Sequence, residues 1–237
     1  MAEYMISTDT SCDFPYEYVQ QHQLPLVTLF YSIDDVMGPD GSPTLENLKS
    51  FYNKMRQGVP TKTQQASIED TEKLFRTILS KGVDLLHIAF SSGLSGTANA
   101  ARLAAETLKE EFPDRKIMVV DSLCASMGQG LLVDSAIRMK EAGKSIEEVA
   151  QWLEENIPHL CHLFTVEDLK YLQRGGRISK TTALLGTMIG IKPVLHVDEE
   201  GKLVPLSKVR GRKQSIQALV KYMEEHAGAF LKQNDKV

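Results

Sequence analysis

Cysteine is scarce in this sequence. The 237 residues include three cysteines, Cys12, Cys124 and Cys161, which are irregularly spaced and form no Cys-x-x-Cys pair. An odd number of cysteines without regular spacing argues against a disulfide framework and is typical of a protein in a reducing compartment. We therefore expect free thiols and a cytoplasmic location.

Long apolar runs and an excess of positive charge are also missing. No apolar segment approaches the length needed to cross a membrane, and the first residues lack the basic and then apolar pattern of a signal peptide. Lys and Arg total 27 against 31 Asp and Glu, which gives a formal net charge of −4. This balance argues against nonspecific nucleic-acid binding. The expectation is an intracellular protein that binds no nucleic acid and makes no stable membrane insertion.

The motifs of common nucleotide and metal sites are absent too. The chain contains no Gly-x-Gly-x-x-Gly and no P-loop. His159, Cys161 and His162 are close in sequence, but no second group of ligands follows at a zinc spacing. We therefore predict no metal and no cofactor.

What the sequence does contain is a regular alternation of apolar strand candidates and helix candidates. Hydrophobic residues make up 42% and charged residues 24%, the proportions of an ordinary globular protein. The predicted strands are Tyr4–Thr8, Leu24–Ser32, Val83–Phe90 and Lys116–Val120. The predicted helices are Tyr16–His22, Leu45–Arg56, Ile68–Lys81, Ala98–Lys109, Leu131–Ala142 and Ile146–Asn156. This α/β alternation predicts a mostly parallel sheet flanked by helices.

The pattern changes after Pro158. A strand over Leu160–Val166 and a short helix over Glu167–Gln173 are predicted there. Ile191–Val197 and Leu203–Val209 flank a turn and predict an antiparallel hairpin, and a helix over Lys213–Glu225 follows. We place a boundary here, between an N-terminal α/β domain (1–158) and a smaller C-terminal α/β domain (159–237).

The loop Ser91–Thr97 has the composition of an anion-binding site. It follows the apolar run Val83–Phe90 and precedes the alanine-rich segment Ala98–Lys109, which has high helix propensity. Its hydroxyls and backbone N–H groups, together with the positive end of a helix, suit an anionic head group. Its two glycines let a ligand approach the backbone. The alternative is an ordinary Ser- and Gly-rich connection.

A serine hydrolase is the competing interpretation of this loop, with Ser95 or Ser92 as the nucleophile. The nucleophile elbow requires Gly-x-Ser-x-Gly, and Thr97 stands where the second glycine is needed. No histidine can be assigned as the base, because His87 lies within an apolar strand and is expected to be a core residue.

The C-terminal part holds two basic segments and one apolar segment. Arg174 and Arg177 flank two glycines, an arrangement that suits an anion or a solvated loop. Thr181–Ile191 is rich in Leu, Ile and Met with interspersed glycines, and it fits a core or the wall of a long apolar pocket. A denser basic cluster consists of Lys208, Arg210, Arg212 and Lys213. We predict that it is a docking surface for an acidic partner, and the alternative is a solvated face. A DNA-binding surface is a third interpretation, which the negative net charge disfavours.

Five segments, in order, resemble the DegV family, bacterial fatty-acid-binding proteins that include the binding subunits of fatty acid kinase. The segments are Thr8–Pro15, Ser91–Thr97, Val120–Ser122, Tyr171–Ile178 and Lys208–Gly211. The resemblance spans essentially the whole chain. It implies two α/β domains that enclose a long-chain fatty acid, and no catalytic residue in the chain itself. The carboxylate would be phosphorylated by a fatty acid kinase catalytic subunit acting as partner.

The resemblance also implies roles for individual residues. Thr63 and Ser95 hydrogen-bond the carboxylate, the backbone of Gly96 assists and Arg177 lies nearby. Ser92 and Gln64 are weaker candidates for the same head group.

The chain departs from the family in two places. Where the family has Thr-Ser-x-Pro-Ser, this chain has Thr63–Ser67 with Gln64 for the second hydroxyl and Ala66 for the proline. Gln64 is therefore expected to replace or obstruct a head-group contact. The family also continues past Val237, so the C-terminal domain is expected to be incomplete.

Overall fold

The chain forms two compact units, Met1–Pro158 and His159–Val237. The structure, a computed structural model, describes residues 3–40, 45–179 and 190–228, with the side chains of 45–47 excepted. The predicted apolar pocket wall at Thr181–Ile191 falls almost entirely on residues 180–189, which lie outside the described residues.

A four-stranded parallel sheet forms the centre of the first unit. Its strands, in spatial order, are β2 (Leu26–Val27), β1 (Tyr4–Asp9), β6 (Asp84–Ala89) and β7 (Ile117–Asp121). Every residue of β6 is buried, as expected for a central parallel strand covered on both faces. The predicted parallel α/β arrangement is confirmed.

The described helices of the first unit are α1 (Tyr16–Gln21), α2 (Leu45–Arg56), α3 (Ile68–Leu79), α4 (Thr97–Glu111), α5 (Ser126–Glu141) and α6 (Ile146–Asn156). Helices α3, α4, α5 and α6 pack on this sheet. Phe75 of α3 and Leu108 of α4 are fully buried in one cluster with Leu85 of β6. Helices α5 and α6 contact each other and the same sheet. The sheet is therefore held rigidly, and the loops at the carboxyl ends of its strands are positioned by it.

A second, antiparallel sheet in the first unit is absent from the sequence predictions. Its order is β4 (Val36–Asp40), β3 (Leu29–Ile33) and β5 (Thr61–Gln64). The predicted single strand Leu24–Ser32 is instead divided between the two sheets. Strand β4 has no counterpart among the predicted strands, because Gly38 and Pro39 argue against a strand. It is an edge strand, where proline is tolerated.

The second unit is built on an antiparallel sheet in the order β10 (Leu203–Arg210), β9 (Ile191–Val197) and β8 (Leu163–Thr165). The predicted hairpin is confirmed as β9 and β10. Two helices of this unit are described, α7 (Lys170–Arg174), which starts three residues later than predicted, and α8 (Arg212–Ala227). Leu169, Ile178 and Leu195 form its buried core.

Candidate functional site

The loop Ser91–Thr97 connects β6 to α4 at the carboxyl end of the parallel sheet. The backbone N–H of Ser95 donates to the carbonyl of Ser91 at 3.1 Å, which closes the loop into a tight turn. Gly96 is the N-cap of α4 and offers no side-chain cap, and the first turn of α4 contains no acidic residue. The backbone N–H groups in the first turn of this 15-residue helix therefore receive no hydrogen bond acceptor from the side chain of the N-cap residue.

Two hydroxyls stand at this helix end. Ser95 Oγ and Thr97 Oγ1 are 2.9 Å apart, and Ser95 Oγ also accepts from the backbone N–H of Thr97 at 3.3 Å. Thr97 is buried, whereas Ser95 is half-buried. The buried threonine therefore holds the hydroxyl of the half-buried serine in place. Sequence reasoning considered Thr97 only as the residue that breaks the nucleophile elbow.

The segment that follows β5 is fastened to this loop. The N–H of Ala66 donates to Thr97 Oγ1 at 3.4 Å, and Ala66 is fully buried. One residue earlier, the side chain of Gln65 lies directly against Gly96. Thr63, three residues before Ala66, is exposed and pairs with Tyr31 of β3. The structure thus brings Gln65 and Ala66 to the Ser95 loop, while Thr63 lies on β5.

Asp121, the last residue of β7, braces the loop from the neighbouring strand. Its Oδ1 accepts from the backbone N–H groups of Ser92 at 3.1 Å and Leu123 at 3.2 Å. Its Oδ2 accepts from Arg102 of α4 at 3.2 Å. The N–H of Ser91 adds a bond to the carbonyl of Cys124 at 3.0 Å. One carboxylate therefore joins the loop, the end of β7 and helix α4.

Replacing Asp121 by alanine is expected to destabilise the protein by about 1–3 kcal/mol, because two backbone donors lose their acceptor. Amide hydrogen exchange should accelerate at Ser92 and Leu123. The control is Arg102→Ala, which removes only the exposed ion pair and should cost at most about 1 kcal/mol. Equal losses in urea unfolding for the two variants would show that Asp121 acts through the ion pair instead.

A buried carboxyl group, that of Asp9, binds the residue that immediately precedes the loop. Asp9, at the end of β1, accepts from the N–H of Phe90 at 2.8 Å and from Gln129 Nε2 at 3.1 Å, and Ser11 Oγ also donates to it. Burial raises the pKa of Asp9, and these three donors partly offset that rise. Phe90 immediately precedes the loop, so this network fixes where the loop begins.

Neither candidate nucleophile has a catalytic base in the part of the chain that the structure describes. The hydroxyl of Ser95 forms a hydrogen bond with the hydroxyl of Thr97. The backbone N–H of Ser92 donates to Asp121 Oδ1. His87 is buried, and its Nδ1 pairs with the hydroxyl of Ser7 at 2.9 Å. Burial lowers the pKa of His87 to about 3. It is the core residue expected from the sequence, and it does not serve the serines.

The remaining predicted residues lie in the second unit. Arg177 is half-buried, follows α7 and donates to the carbonyl of Gly175. In the basic cluster, Arg212 bonds Glu167 at 3.1 Å. Its other members are exposed on β10 and at the start of α8: Lys208, Arg210 and Lys213.

Residues 3–40, 45–179 and 190–228 contain no group of three or more His, Cys, Asp or Glu side chains placed to hold a metal ion. Among these described residues, no helix combines the length and apolar character that a membrane span requires.

Comparison with known proteins gives consistent matches. The family model of DegV, described as an uncharacterised protein family, matches residues 3–234. A DegV domain-containing protein of Clostridium perfringens is 40% identical over 225 residues, which are 95% of this chain and 77% of the relative.

Solved structures agree with this match. A stearic acid-binding protein of Eubacterium ventriosum gives a TM-score of 0.88 at 28% identity and covers 98% of this chain and 79% of that one. The Fatty Acid Kinase B3 protein of Streptococcus pneumoniae, loaded with linoleic acid, gives a TM-score of 0.80 at 26% identity and covers 94% and 78%.

Proposed function

Since the chain belongs to the DegV family, we propose that it binds a long-chain fatty acid and holds the carboxylate at the N-terminal end of α4. The observation that carries the proposal is the half-buried hydroxyl of Ser95, oriented by Thr97 at a helix end without a side-chain cap. Such an end attracts an anion. A protein similar to this chain is named for binding stearic acid, which is a long-chain carboxylic acid.

The proposed head-group residues divide into two sets. Ser95, the backbone at Gly96 and Thr63 belong to the Ser95 loop and the segment fastened to it, and they are the principal ligands. We propose three further head-group residues, which are Arg177, Ser92 and Gln64. Ser92 and Gln64 are expected to contribute less to carboxylate binding than the others.

The acyl chain should supply most of the affinity. Burial of each methylene is worth about 0.8 kcal/mol, so a chain of ~16 carbons gains on the order of 10 kcal/mol before ordering costs. A charge-assisted hydrogen bond to the carboxylate adds about 1.5–3 kcal/mol. The tail would then set the strength of binding, and Ser95 and Thr63 would set the orientation of the ligand.

Binding of this kind requires no nucleophile, so we propose a carrier and not an enzyme. The serine hydrolase alternative predicts that a fluorophosphonate probe labels Ser95 or Ser92. The carrier predicts no labelling of either serine. The three cysteines are free, which suits action in the cytoplasm.

We further propose that the bound carboxylate is presented to a kinase. Support comes from the similar protein named Fatty Acid Kinase B3. The exposed basic residues Lys208, Arg210 and Lys213, with Arg212 beside them, would dock an acidic surface of that kinase. Charge reversal of Lys208 and Arg210 should reduce acyl-phosphate formation by a fatty acid kinase while fatty-acid binding is retained. Unchanged acyl-phosphate formation would remove this cluster from the docking surface.

The binding proposal is tested by denaturing the purified protein and identifying released lipid by mass spectrometry. Release of a long-chain fatty acid near one per chain is expected. Protein that releases no lipid, and takes up none when titrated with oleic acid, would refute the proposal.

A further inference from the structure

The side chain of Gln65 lies against the Ser95 loop at Gly96. If Gly96 carried a Cβ, that atom would collide with Gln65 Oε1 and would lie 2.8 Å from Cδ and 3.1 Å from Nε2. The whole carboxamide therefore occupies the space that the glycine leaves open. Gly96 is the N-cap of α4, so this contact lies at the proposed head-group position.

The backbone holds Gln65 in this place. Ala66, the next residue, is fully buried and its N–H is bonded to Thr97 Oγ1. Gln64 is the last residue of β5, and Gln65 is the first residue after that strand. The glutamine that borders the proposed head-group site is thus Gln65, whereas sequence reasoning selected Gln64.

We propose that Gln65 is a specificity-determining residue that restricts the site to a free carboxylate and excludes esterified lipids. This inference rests on the proposed function. A carboxylate is compact and accepts hydrogen bonds from Ser95 and from the first turn of α4. A glyceryl ester has no charge to place there and needs added volume beside Gly96, which the carboxamide fills. Discrimination of this kind depends on an element that obstructs the wrong ligand.

The test compares two ligands with the same acyl chain, oleic acid and monoolein, each displacing a fluorescent fatty acid from the full chain. The wild-type protein should prefer oleic acid. Gln65→Ala should narrow that preference about tenfold through a gain in monoolein affinity, because the space beside Gly96 is opened. The matched control is Gln151→Ala, which removes an exposed glutamine on α6, outside the proposed site, and should leave the preference within about twofold of the wild type.

A second variant tests whether the discrimination depends on the volume occupied beside Gly96. Adding Gly96→Ala to Gln65→Ala returns a Cβ to the opened space and should recover part of the lost discrimination. A preference that is unchanged in Gln65→Ala, or lowered as much in Gln151→Ala, would overturn the role of Gln65 while leaving fatty-acid binding in place. A wild-type protein that binds neither ligand would overturn both proposals.

Discussion

Replacing Ser95 by alanine is expected to weaken fatty-acid binding about 10- to 100-fold without unfolding the protein. The variant removes the hydroxyl that would donate to the carboxylate, a charge-assisted bond worth about 1.5–3 kcal/mol. The fold should persist because Ser95 is half-buried and Thr97 keeps its bond from the N–H of Ala66. Displacement of a fluorescent fatty acid measures the affinity, and circular dichroism checks the fold.

Thr107→Ala is the matched control for this variant. Thr107 lies on the same helix α4, is exposed, and its hydroxyl bonds the carbonyl of Leu103 at 3.2 Å. Its removal should leave fatty-acid affinity unchanged. Thr63→Ala should also weaken binding, since Thr63 belongs to the segment fastened to the loop. Wild-type affinity in both Ser95→Ala and Thr63→Ala would place the head group elsewhere.

Acidification is expected to destabilise the protein by about 3 kcal/mol between pH 6.5 and pH 4 through His87 alone. Burial lowers the pKa of His87 to about 3, whereas a histidine in the unfolded chain titrates near 6.5. Below pH 6.5 the unfolded state therefore binds a proton at His87 that the folded state does not bind. The free energy of unfolding is unaffected by this group above that pH and falls as the pH drops from 6.5 towards 3.

The variant that isolates this effect is His87→Gln. Glutamine can still bond the hydroxyl of Ser7, but it does not titrate. Carboxyl groups such as Asp9, whose raised pKa gives the opposite pH dependence, are present in both proteins and cancel in the difference. The free energy of unfolding should therefore fall less steeply with acid in His87→Gln. Parallel profiles for wild type and His87→Gln would contradict this assignment.

The parallel sheet could be predicted from sequence because its strands carry a strong signal. Val83–Phe90 is a mostly apolar run in which Asp84 and His87 are the two polar residues, and the observed strand β6 is buried throughout. The antiparallel sheet of the first unit gives no such signal, because β4 contains Gly38 and Pro39 and β5 is the polar stretch Thr61–Gln64. Its strands form through pairing with β3, which is a tertiary effect.

The site follows the same division. Ser95 and Gly96 are recognisable because a strand, a small polar loop and a helix follow each other directly. The parts played by Thr97 and Gln65 depend on contacts between segments about 30 residues apart in sequence, such as Ala66 to Thr97. No local pattern encodes such a contact. A resemblance to the family can assign Thr63, but it does not distinguish Gln65 from Gln64.

A crystal structure of this chain with bound oleic acid would show directly whether Ser95 binds the carboxylate. We expect a carboxylate oxygen about 2.5–3.0 Å from Ser95 Oγ, at the N-terminal end of α4. A carboxylate bound beyond hydrogen-bond reach of both Ser95 and the first turn of α4 would contradict it.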